Sequence, residues 1–194
     1  NSGGGSKPRS RSRKPKPAHL ELFFDGKPMT VAQWPNKGQW TNIASIPAHA
    51  GGNDGHGTTL GKLDAGFHYE GDRPKNWQDT SNVWVHGYWA YDWANSYEHI
   101  ASIDHEKRHI ITDGDRGLYG YQKGQRFCFV NVLEELDEAG EYYVDTQRGM
   151  LYFWPPAPIE SAECVASVIE KPLIEARDVS YVKFEGFEIG YCRG

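Results

Sequence analysis

The sequence predicts a mainly β fold, a compact antiparallel domain of hairpins with one short helix. Three observations carry that prediction. Seven Trp, eleven Tyr and eight Phe stand beside 22 Gly and 11 Pro in 194 residues, a mixture of strand-favouring rings and turn formers. Apolar and polar residues alternate in several short windows, most clearly over 83–93. Turn dipeptides separate these windows, Asp25-Gly26 first among them.

The elements follow in chain order. Residues 1–18 consist almost wholly of Gly, Ser, Pro, Lys and Arg, with nothing to bury, so they read as a disordered basic tail or linker. Residues 19–35 read as a hairpin, with Leu20, Leu22 and Phe24 alternating before Asp25-Gly26 and Met29 and Val31 after it. Residues 36–63 are rich in Gly, Asn, Asp and His and read as a long surface loop. A short strand is expected at 67–69. Over 83–93 one strand is expected, with Val83, Val85, Trp89, Tyr91 and Trp93 facing the core and Trp84, His86, Tyr88 and Asp92 facing outward. Residues 101–103 and 109–112 read as strands joined by a charged turn. Residues 126–136 begin as a strand and turn helical, with Asn131 as the helix N-cap. A second hairpin spans 141–155, and 164–169 and 173–174 read as strands. From 172 onward, short apolar strands with tight turns (Leu173-Ile174, Val182-Lys183-Phe184, Phe187-Glu188-Ile189) form the pattern of one rung of a parallel β-helix, a unit that is stable only when stacked. The expected organisation is therefore 1–18 tail, 19–171 β-rich domain and 172–194 a truncated first rung, with the chain cut from a longer protein.

Composition narrows the function classes. The net charge is −5, but the tail holds six Lys and Arg and no acid, so the rest carries 15 basic against 26 acidic residues. An acidic body argues against a nucleic-acid-binding domain. No apolar run is long enough to cross a bilayer, and the basic start is not followed by the apolar stretch of a secretory leader. Three widely spaced cysteines, Cys128, Cys164 and Cys192, form neither a CxxC pair nor a disulfide framework.

Four constellations carry possible chemistry. His105-Glu106-Lys107-Arg108-His109 spells HExxH, which on a helix places two imidazoles on one face for zinc, with the Glu as base. Its strand-like flanks and charged centre read instead as an exposed turn; zinc hydrolysis through His105, Glu106 and His109 is the third alternative. Asp113-Gly114-Asp115, and Asp54 near His56, have a calcium-loop look but lack the distal bidentate Glu. Glu134-Glu135 and Asp137-Glu138 are spaced as a solvated helix face rather than as a glycosidase pair. No metal or cofactor is expected. The outward row Trp84, His86, Tyr88 and Asp92, extended by Trp40 and Trp77, suits the C–H faces and hydroxyl rims of a sugar. It equally suits an interface, and the sequence leaves both open.

Several segments together resemble a known family: 22–29 (LFFDGKPM), 33–36 (QWPN), 83–89 (VWVHGYW), 91–94 (YDWA), 134–137 (EELD), 140–143 (GEYY), 149–156 (GMLYFWPP) and the terminal 181–194. In this order they are similar to the glycoside hydrolase family 141-like insertion domain of right-handed parallel β-helix proteins, over roughly residues 20–194. The resemblance departs at Gln33, where the family pattern has a basic or small residue. It implies a bacterial, extracellular or periplasmic polysaccharide-degrading parent whose catalytic carboxylates lie on the β-helix, so no catalytic residue is carried over to this chain. For this segment it implies a monomeric, non-catalytic accessory domain. Its partners would be the C-terminal β-helix of the same parent chain and polysaccharide, with neither nucleic acid nor membrane involved.

Overall fold

The computed structural model describes residues 20–48, 52–53, 55, 57–113, 119–169 and 171–191. The expectations for the basic tail, for Asp54 and His56, for Gly114 and Asp115, and for Cys192 lie outside the described residues. The fold is mainly β and is built around a six-stranded antiparallel barrel. In chain order the barrel strands are β5 (Thr41–Ser45), β8 (Phe67–Tyr69), β9 (Trp84–Gly87), β10 (Ser96–Asp104), β11 (His109–Thr112) and β12 (Arg126–Val130). They pair as β12-β5-β8-β11-β10-β9, and β9 returns to β12 to close the ring. β4 (Gln33–Trp34) pairs with the end of β12 that β5 leaves free.

Period-two alternation makes this barrel. Val83, just before β9, and Val85 within it are buried while Trp84 and His86 face outward; along β12, Phe127 and Phe129 are fully buried. The interior is aromatic: the Phe67 ring lies 4.8 Å from Tyr121, 5.0 Å from Phe127 and 5.7 Å from Trp89. Gly87 makes room for this packing, because a Cβ there would sit 2.7 Å from Phe127 Cβ and 2.8 Å from the Trp89 ring. A barrel of this size is filled by side chains. It also admits polar ones: Glu98 is buried on β10, where its Oε1 accepts a hydrogen bond from Ser96 Oγ, which in turn accepts one from Trp89 Nε1.

A second layer lies against the barrel. β1 (Glu21–Phe24) is flanked by β2 (Lys27–Pro28) and β15 (Cys164–Ser167), and β13 (Glu141–Asp145) by β14 (Met150–Phe153) and β3 (Thr30–Val31). The β1–β2 and β13–β14 hairpins stand where the sequence places them. Leu22, Tyr142 and Val144 centre a small separate core with Met29, Val31 and Phe153. A two-stranded pair, β6 (Gly52–Asn53) with β7 (Thr59–Leu60), completes the described strands.

Several expectations are corrected. The loop expected over 36–63 contains β5, a central barrel strand; Ile43 is its only fully buried residue, too sparse a pattern to register as alternation. The strand expected over 83–93 ends at Gly87: Trp89 turns into the core, while Trp93 is 69% exposed and stacks on Tyr91. Asn131 is not an N-cap, and the helix is a single 3-10 turn, Leu133–Glu135, capped at Val132. Asn131 takes a positive φ of 62° and spends its side chain on the second layer, accepting from Val144 N and donating to Val144 O and Asn82 O. Among the described residues of 168–191 there is no strand, and no β-helix rung is formed. Leu173, Ile174, Val179, Val182, Phe184, Phe187 and Ile189 remain exposed. The segment touches the domain at its end, where the Tyr191 ring packs on Phe23 at 5.1 Å and its hydroxyl donates to Glu163.

Candidate ligand-binding face

The outward side of β9 and its neighbours forms an aromatic ledge. Antiparallel register puts Tyr97 of β10 opposite His86, and their rings stack at 4.2 Å with 12° between planes. On the other side β12 places Cys128 opposite His86, and two residues earlier Arg126 faces outward. The Arg126 guanidinium lies 3.9 Å over the Tyr88 ring and 5.8 Å from that of Trp40. Its Nη1 donates to Asp92 Oδ1 at 2.5 Å. Trp40 closes the group, 5.7 Å from both His86 and Tyr88.

Electrostatics follow from burial. His86 is packed between rings with Nε2 3.1 Å from Asn95 Oδ1, and burial lowers its pKa below the usual imidazole value. Burial raises the Tyr97 phenol. The Cys128 thiol, enclosed beneath the ledge, is pushed up to about 12, which leaves it no nucleophilic character at neutral pH. The carboxylate of Asp92 is engaged by Arg126 rather than poised beside a second acid. The group offers flat π faces, a planar cation and an acceptor at one edge. That is the chemistry of recognition.

The structure thus joins Trp40, His86, Tyr88 and Asp92 on one face. Trp84 lies farther along β9, with its ring 5.1 Å from His99 and its Nε1 buried without a hydrogen-bond partner among the described residues. Trp77 does not belong to the face: it is 5% exposed, packs 4.9 Å from Phe129 in the barrel core and donates to Glu135. The 3-10 turn Arg73–Asn76 aims it inward, a geometry that a polar window does not announce. Sequence reasoning missed Tyr97, Asn95 and Arg126. Alternation along 96–100 contained the signal for Tyr97, but the buried Glu98 disguised which side is core.

The other constellations are placed as follows. Residues 105–108 are the turn joining β10 to β11, not a helix; Glu106 is exposed, and His109 Nε2 lies 2.7 Å from Ala65 O. Asp113 pairs with His99 Nδ1 at 2.9 Å. Glu134 is exposed, whereas Glu135 is not on a solvated face: it is 1% exposed and held by Arg73 and Trp77. Comparison of the chain with known protein families, curated proteins and solved structures finds no match.

Proposed function

We propose that the chain is a non-catalytic accessory domain of a larger polysaccharide-degrading protein, joined through residues 172–191 to a parallel β-helix of the same parent. The observation that supports this reading is the set of eight large hydrophobic side chains from Leu173 to Ile189, Tyr181 among them, each exposed by 44% or more. Water-exposed apolar surface on that scale marks an interface, and the tight-turn pattern of the run is that of a coil awaiting its neighbour. The resemblance of 20–194 to β-helix insertion domains supplies the parent class and an extracellular or periplasmic setting. The experiment is a truncation after Ile169. The expected result is that the truncated barrel keeps its near-UV circular dichroism and binds less hydrophobic dye than the full chain. Unfolding of the truncated chain would make the segment part of the domain's own core and would end the proposal.

A second reading is favoured by the ledge itself: the domain contacts polysaccharide through Trp40, His86, Tyr88 and Asp92, with Arg126 bracing the rings. A stack of sugar on an exposed indole or phenol suits these faces. Titration with plant and algal polysaccharides, read by Trp fluorescence, gives a saturable change that Trp40→Ala and Tyr88→Ala abolish. A flat response from folded protein leaves the ledge as an interface within the parent.

A further inference from the structure

A second concavity lies away from the ledge, in the other layer. It has a volume of about 530 Å³ and is bounded by the β1–β2 hairpin, the loop carrying Lys37, the turn before β13 and Pro156. Backbone bonds hold its walls together: Thr30 N donates to Gly140 O at 3.0 Å, Gly140 N to Trp154 O at 2.7 Å and Trp154 N to Glu141 O at 2.9 Å. The size is that of a small-molecule site.

Glu141 is the unusual group in this cleft. It is 2% exposed. Its Oε2 accepts from the backbone N–H groups of Asp137 and Glu138, at 3.0 and 3.1 Å, and so fixes the turn. Its Oε1 is equally buried and has no hydrogen-bond partner among the described residues. Burial raises its pKa, the two backbone N–H groups of Glu138 and Asp137 work against that rise, and the negative charges of the same two residues add to it. A buried carboxylate oxygen left without a donor forfeits its hydration with nothing in exchange, and such a group calls for an explanation. The exposed Glu138 lines the same wall. The opposite sequence segments bring Lys27 and Lys37, both exposed and neither paired with a described carboxylate. Met29 and Pro156 add apolar lining between them.

We propose that this cleft binds a small zwitterion, an amino acid or short peptide with free termini, whose ammonium donates to Glu141 Oε1 beside Glu138 and whose carboxylate meets Lys27 and Lys37. A donor that carries positive charge satisfies the orphan oxygen and offsets both acids. An anion alone would meet the two acids, and a cation alone the two lysines. The apolar lining accommodates an aliphatic side chain. This inference is independent of the role of the ledge.

The test uses the dipeptide Leu-Leu, its N-acetyl form and its C-terminal amide, titrated into the full chain and followed by amide chemical shifts. Leu-Leu shifts the resonances of 27–30 and 138–141 with a dissociation constant on the order of 1 mM, and each blocked form binds at least about tenfold more weakly. Lys27→Ala with Lys37→Ala removes the penalty of amidation while leaving that of acetylation, and both positions are exposed, so the fold is preserved. Glu138→Gln with Glu141→Gln does the reverse. Equal binding of the acetylated peptide, or no shift of cleft resonances up to about ten times that concentration, overturns the proposal. So does a penalty that follows neither pair of residues, which would leave water as the partner of Oε1.

Discussion

Replacing Glu135 by alanine withdraws three hydrogen bonds at once. Its Oε1 accepts from Arg73 Nε at 2.8 Å and from Trp77 Nε1 at 2.6 Å, and its Oε2 accepts from Arg73 Nη2 at 2.7 Å. The carboxylate is buried, but the Arg73 side chain is 44% exposed. The full loss of about 3–5 kcal/mol expected on breaking a buried pair therefore does not apply, because the freed guanidinium can hydrate. The Trp77 indole cannot, since it is 5% exposed; its unsatisfied N–H costs about 1–3 kcal/mol. Adding the small cavity left by the side chain gives about 2–4 kcal/mol for Glu135→Ala. Arg73→Ala leaves a buried carboxylate with one donor and costs about as much, whereas Glu135→Gln keeps the shape and the bond to Trp77 and costs about 1–2 kcal/mol. The assay is urea unfolding read by Trp fluorescence, with the double variant closing the cycle. A coupling energy of about 1–3 kcal/mol is expected between Arg73 and Glu135. A Glu135→Ala cost below about 1 kcal/mol, or strictly additive single variants, would refute the reasoning that this pair ties the 73–77 turn to the barrel core.

Three further outcomes are expected. Because burial lowers the His86 pKa below about 6.5, the unfolded chain takes up that proton first. Stability is therefore intact above pH 6.5 and erodes as the pH falls from there toward the folded value; His86→Phe, which keeps the ring against Tyr97, flattens the slope of unfolding free energy in that window, and an unchanged slope counts against the assignment. In a Cys192→Ser background at pH 7.5, a maleimide labels the exposed Cys164 and spares Cys128, whose thiol is buried and raised to about 12; labelling of both in folded protein contradicts the packing beneath the ledge. Asn131→Ala leaves Val144 N without its side-chain acceptor and puts alanine at φ 62°, for a loss of about 3 kcal/mol in denaturant unfolding. Asn131→Gly recovers about 1 kcal/mol of that by relieving the backbone alone, and equal losses for the two would argue against backbone strain.

What was legible in the sequence was whatever repeats locally. Val83, Val85, Trp84 and His86 declare their sides by alternation within one strand, and Asp25-Gly26 fixes its hairpin from four residues. Long-range pairing left weaker traces. β5 is a strand because Thr41–Ser45 pairs between β8 and β12, and a single inward Ile43 cannot signal that. Glu98 reads as solvent-facing until Ser96 and Trp89 are seen to satisfy it. Trp77 and Glu135, fifty-eight residues apart, each read as surface alone, and each is buried because the other is there. The ledge was half legible for the same reason: its β9 members share one alternating strand, whereas Arg126 and Tyr97 reach it only through the register of two partners.

Barrel closure also bears on where another chain can add. Six strands paired in a ring leave no free edge. In the second layer the open edges are β15, β14, β2 and β3, each paired on one side only in the described residues, and β3 is only two residues long. β2 is two residues long and ends in Pro28, which cannot donate to a ladder. β14 offers Met150 and Leu151, but the turn before it is charged and Pro155-Pro156 stops it on the other side. β15 is the edge that runs directly into the exposed apolar segment, and its Cys164 and Ala166 are themselves exposed. A partner that extends the sheet at β15 would cover the edge and the apolar run in one docking event. Docking at β14 would leave the run bare, so the proposed β-helix junction belongs on the β15 side.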